Sequence, residues 1–99
     1  MRMLFVIIED YTMQTRDELY RRFADYTRPG GMTILGHYQL IGQQRIIIVC
    51  EAESTEALMR ITAPWTDLVS MQIFPAAEWN DYYHIAYPEH ESASGGTSS

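Results

Sequence analysis

The chain has 99 residues, 46% of them hydrophobic and 12% aromatic, and a formal net charge of −6. That is enough apolar material for one domain with its own core. All seven basic residues are arginine and there is no lysine, a poor match to the cationic surfaces that bind nucleic acid or anionic membranes, so neither partner is expected.

The lone cysteine, Cys50, excludes an intrachain disulfide and suits a reducing compartment. The apolar run near the start ends at Glu9 and Asp10, too early for a signal peptide or a membrane span. A cytoplasmic location is the expectation.

Met3-Leu4-Phe5-Val6-Ile7-Ile8 is apolar at every position. A strand with one wet face alternates. An unbroken run over residues 2–10 predicts a strand covered on both faces. A helix follows from Thr15. Thr15 is a good N-cap, Thr15-x-x-Glu18 fits the capping box, and Asp17 and Glu18 suit the positive end of the helix dipole. Leu19, Phe23 and Tyr26 recur at helical spacing and share one face. Arg28-Pro29-Gly30-Gly31 stops the helix.

Residues 32–41 (MTILGHYQLI) read as the second strand and Gly42-Gln43-Gln44 as a hairpin turn. Residues 45–52 (RIIIVCEA) read as the third strand, again apolar on both faces. Ser54 caps a second helix with Ala57, Leu58, Ile61 and Trp65 as its apolar stripe and Pro64 near its end. Residues 68–75 (LVSMQIFP) form the fourth strand. The aromatic stretch 78–87 (EWNDYYHIAY) fits a short helix, a fifth strand or an arm. Residues 88–99 are polar and of low complexity; a disordered tail is expected there, leaving 1–87 as the folded domain.

The order is strand-helix-strand, twice. The second and third strands are joined too tightly for a crossover, so they are antiparallel. The expected fold is α+β: a ferredoxin-like βαββαβ unit with an antiparallel four-stranded sheet. Its two helices cover one face of the sheet. Leaving the other face wet costs about 25 cal/mol for each Å² of apolar surface. A second copy, sheet against sheet about a two-fold axis, is the simplest cover, so a homodimeric α/β barrel is expected.

Three stretches carry a likeness to a known family: Met3-Leu4-Phe5-Val6-Ile7, Pro29-Gly30-Gly31-Met32-Thr33-Ile34-Leu35-Gly36, and Trp65-Thr66-Asp67-Leu68-Val69 with Gln72-Ile73-Phe74-Pro75. Over residues 3–76 the chain resembles a family of short bacterial proteins in the dimeric α/β-barrel superfamily, catalogued as a domain of unknown function. The superfamily includes cofactor-free quinone-forming monooxygenases, polyketide cyclases, muconolactone isomerases, haem-degrading enzymes, dye-type peroxidases and plain binding or regulatory domains. The resemblance implies a site between helices and sheet or within the barrel, and it brings no catalytic residues. The family position after Leu35-Gly36 is often tryptophan; here it is His37.

Strict alternation along the second strand puts Leu35, His37 and Gln39 on one face and Ile34, Gly36, Tyr38 and Leu40 on the other. Inside a barrel, His37 and Gln39 can orient a substrate carbonyl or move a proton. On an edge strand or at a dimer seam, His37 is simply a hydrogen-bonded histidine. His84 is an acid–base partner for His37 if the C-terminal segment folds over the pocket mouth. Otherwise that segment is an arm, and Trp79, Tyr82, Tyr83 and Tyr87 are interface aromatics. The catalytic candidates are therefore His37 and His84. The ligand-binding candidates are Tyr11, Tyr38, Gln39 and Trp65, an aromatic set with a polar tip.

No cofactor is expected. The histidines lack ligand spacing, and no Cys/His cluster exists for a metal. Cys50 reads as a buried, inert thiol. Glu9, Asp10, Glu51 and Glu53 read as solvated strand ends rather than a carboxylate pair. Three functions remain. The first is a homodimeric protein that binds a small hydrophobic or aromatic molecule as a pathway accessory. The second is a cofactor-independent monooxygenase, cyclase or isomerase. The third is an assembly module without a ligand.

Overall fold

A computed structural model describes residues 2–88; residues 89–99, most of the expected tail, lie outside them. The elements are β1 (Met3–Asp10), α1 (Arg16–Asp25), β2 (Met32–Gln39), β3 (Arg45–Ala52), α2 (Thr55–Thr62), β4 (Ser70–Ala76) and α3 (Trp79–Ala86). A single 3-10 turn, Ala63–Trp65, follows α2. The fold is α+β and ferredoxin-like, with one antiparallel sheet in the order β2-β3-β1-β4.

The strand register sorts side chains into two faces. Phe5 and Ile7 of β1 and Ile46, Ile48, Cys50 and Ala52 of β3 are buried under the helices. Leu19 of α1, Leu58 and Ile61 of α2, and Trp65 and Val69 after them complete this core. On the opposite face stand Leu4, Val6 and Ile8 of β1 and Ile47 and Val49 of β3, all only half-buried. Tyr38 of β2 and Phe74 of β4 join them, 56% and 47% exposed. The apolar runs of β1 and β3 thus do serve two faces, and the outer one is left partly wet in the single chain.

Two local expectations are corrected. Thr15 precedes α1 but makes no capping bond to the helix. Its hydroxyl accepts from the Thr12 amide at 3.1 Å instead, because Thr15 already has helical backbone angles and turns its side chain back. Strict alternation also fails in β2. The register shifts between Ile34 and Gly36, so Leu35 is an extra residue, a β-bulge. Ile34 therefore lies on the same face as His37 and Gln39, over the core strands' helix side. Tyr38 falls on the other face, packed so closely over Gly36 that a Cβ there would lie 2.6 Å from its ring.

Ser54 does cap α2, its Oγ accepting from the Ala57 amide at 3.1 Å. The helix ends at Thr62, and Pro64 sits in the 3-10 turn that carries Trp65 back onto the core. Of the three readings of residues 78–87, the helix is found. Glu78 caps α3 through bonds from the Asn80 and Asp81 amides. α3 contributes no buried residue, and Trp79 stacks on Tyr82 while Tyr83 packs on Tyr87. No described helix is long and apolar enough to cross a membrane.

Candidate functional site

α1 and the 3-10 turn do not lie flat on the sheet. Between them and the strands opens a cavity of about 680 Å³. Its floor is Ile7, Ile46 and Ile48, and its walls include Leu19, Phe23, Tyr26 and Trp65. The register gives the floor an order. One row across the strands reads Gln39, Ile46, Glu9; the next reads His37, Ile48, Ile7; the next reads Ile34, Cys50, Phe5.

The aromatic wall is continuous. Tyr26 meets Trp65 edge to face at 4.9 Å, Trp65 lies 6.2 Å from Phe23, and Phe23 meets the His37 ring at 5.4 Å. The wall needs Phe23 and Tyr26 on the sheet side of α1, which the helical spacing supplies. Leu19 is buried beneath them, whereas Phe23 keeps 53% of its surface exposed at the mouth. Arg22, on the neighbouring face, joins α1 to the segment after α2. It donates to both carboxylate oxygens of Asp67 at 2.8 and 3.0 Å and to the Pro64 carbonyl at 2.9 Å.

The cavity holds few polar groups. His37 enters from β2, and partial burial lowers its pKa below the ordinary 6.5, so the imidazole is neutral at pH 7. Glu9 enters from β1. Burial raises its carboxyl above the ordinary 4.5, and within the described chain it has neither hydrogen bond nor ion pair to offset that cost. The Tyr26 hydroxyl is buried with no hydrogen-bond partner. Arg28 stands exposed on the lining.

The six candidates from the sequence are not brought together. His37, Gln39 and Trp65 line the cavity; Tyr38 stands on the opposite face of the sheet, and His84 rides on α3. Tyr11 is buried beside the cavity, where its hydroxyl bonds Tyr20 at 2.8 Å and donates to Gln39 Oε1 at 3.0 Å. Gln39 also donates through Nε2 to the Gln43 carbonyl at 2.7 Å. Its amide is engaged at both ends, clasping the β2–β3 hairpin to Tyr11 and α1. Glu9 was missed because it was read with Asp10 as a solvated strand end. Asp10 is no free strand end either: it accepts from Arg45 Nε across the sheet at 2.6 Å. The Phe5, Ile7, Glu9 alternation was the available signal, since it puts Glu9 on the buried face. Glu51 of β3 lies at the other end of the antiparallel pair, opposite Leu4, and Glu53 follows the strand.

One protein-family model matches residues 3–88, a span that runs through α3; it is described as a domain of unknown function, DUF3303. No curated protein and no solved structure matches the chain.

Proposed function

The chain belongs to the DUF3303 family, and we propose that it is a homodimeric α/β-barrel protein that binds a small hydrophobic or aromatic molecule between sheet and helices, as an accessory to a pathway. One observation carries the ligand: a cavity of about 680 Å³ walled by Phe23, Tyr26 and Trp65 over an isoleucine floor. Drug-sized molecules occupy cavities of roughly 300–1,000 Å³, mostly apolar with a few placed polar groups. An assembly module would have no use for such an opening.

The dimer rests on the outer sheet face. Leu4, Val6, Ile8, Ile47 and Val49 form a contiguous apolar patch with Tyr38 and Phe74 at its flanks. A continuous patch of this kind marks an association surface. A second copy offers the same patch about a two-fold axis, and no other partner is needed to match it.

A second reading is favoured by His37. It is neutral, it lines the cavity at its exposed side, and its ring meets Phe23 edge to face. A neutral imidazole at that place can take a proton from an aromatic or polyketide-like substrate, which is the isomerase, cyclase or monooxygenase alternative.

Native mass spectrometry of protein purified from its own host tests the first reading. The expected result is twice 11.5 kDa plus a removable few hundred daltons. A monomer overturns the dimer. A bare dimer that also binds no aromatic probe overturns the ligand. Turnover that vanishes in His37→Ala, with dimer and fold intact, selects the enzyme.

A further inference from the structure

We propose that the cavity takes an organic cation: a protonated amine borne on an aromatic or aliphatic body, with its nitrogen against Glu9. The proposal rests on the reading of this cavity as a ligand site. It says what kind of molecule fits there.

Glu9 is the anchor. It is a half-buried carboxyl on the floor of an apolar cavity, and no arginine or histidine of the described chain pairs with it. Several other acids do have an arginine partner: Asp10 has Arg45, Asp67 has Arg22 and Glu53 has Arg2. A half-buried carboxyl without a partner carries a desolvation cost, and a ligand that brings a positive charge or a donor to it offsets that cost. The floor row places Ile46 between Glu9 and Gln39, so no side chain of that row can answer it.

The walls agree with a cation. Tyr20, Phe23, Tyr26 and Trp65 line the same space. Aromatic faces attract an ammonium group, by about 0.5–2 kcal/mol each depending on desolvation. His37, two strands away from Glu9 and so about 10 Å across the sheet, is neutral at pH 7 and adds no positive charge to repel it. The chain as a whole is acidic, at −6, which favours cations over anions near its surface.

Arg28 is the one positive group on the lining, and it argues for an anion only at the rim. It is exposed, where a charge contact contributes little. It precedes β2, whose first residue Met32 lies opposite Ala52, whereas Glu9 lies opposite Ile46, at the far end of β3. The two charges mark opposite ends of the cavity.

The test uses three matched probes on the full chain, 4-phenylbutylamine, 4-phenylbutanol and 4-phenylbutanoate, titrated calorimetrically. The amine is expected to bind at least about tenfold tighter than the alcohol, a difference of about 1.4 kcal/mol. Glu9→Gln is expected to erase that preference while leaving the alcohol's affinity within about twofold, since the apolar contacts remain. An acid or alcohol that binds as tightly as the amine overturns the cation and leaves the cavity reading standing. So does an amine preference that survives in Glu9→Gln. Failure of all three probes to bind overturns both.

Discussion

Tyr26 and Trp65 meet edge to face, 4.9 Å between ring centroids and 73° between planes, and the Tyr26 hydroxyl beside this contact is buried without a hydrogen-bond partner. A buried hydroxyl in that state costs about 1–3 kcal/mol. Tyr26→Phe is therefore expected to hold stability or raise it by about 1 kcal/mol. Trp65→Ala, which empties a buried site on the same wall, is expected to lose about 3–5 kcal/mol. Urea unfolding of the two variants reads both values. A large loss in Tyr26→Phe would mean that the hydroxyl is bonded after all.

Glu9 gives the protein a pH dependence of known sign. Burial raises its carboxyl above 4.5, so the folded chain holds that proton more tightly than the unfolded chain. The folded state is favoured while Glu9 is protonated and loses that advantage as pH rises through the folded pKa. Glu9→Gln removes the titration. Its melting temperature is expected to exceed the parent's at pH 7, with the gap closing as pH falls toward 4.5. Thermal scans across that range check this, and a gap that widens in acid contradicts the burial of Glu9.

Gly31 is constrained twice. Its φ is +99°, and a Cβ there would lie 2.9 Å from the Cβ of Ala57. Its carbonyl accepts from the Glu53 amide at 2.9 Å, which fixes the entry to α2. Gly31→Ala is expected to destabilise by more than about 1 kcal/mol, because both strain and a clash with α2 oppose it. Gly30→Ala, with nothing within 4 Å, is the matched control and is expected to cost much less. Equal losses in the two variants would refute the close approach of Gly31 to α2.

Cys50 has no exposed surface, and burial pushes its thiol pKa up. Reaction needs an exposed thiolate. A water-soluble disulfide reagent is expected to label no thiol in the native protein and one in denaturant. Rapid native labelling would show that β3 opens.

Much of the fold was legible in the residues. The apolar runs of β1 and β3, the breakers after Arg28, the tight β2–β3 turn, the Ser54 cap with its apolar stripe and the apolar stretch from Leu68 place the strands and the first two helices, and the tight turn requires β2 and β3 to be antiparallel. Boundaries moved by a few residues where Pro64 converts the end of α2 into a 3-10 turn and delays β4 to Ser70. The site was legible only in part. Trp65 and His37 were found because unusual residue types stand out in a pattern.

Hydrophobic periodicity, turn chemistry and capping are local, so the sequence by itself determined the four strands, the first two helices, their order and the apolar character of two sheet faces, while α3, within residues 78–87, was decided only by the structure. The cavity is not local. It depends on how far α1 stands from the sheet, and the contacts that tie α1 down are long-range, such as Arg22 to Asp67, 45 residues away. The bulge at Leu35 depends on pairing with β3, and it alone puts Ile34 beside His37. Glu9 is a strand-end acid by its neighbours in sequence and a floor residue by its neighbours in space. Only the tertiary structure decided between the two, because burial is a property of the surroundings and not of the residue.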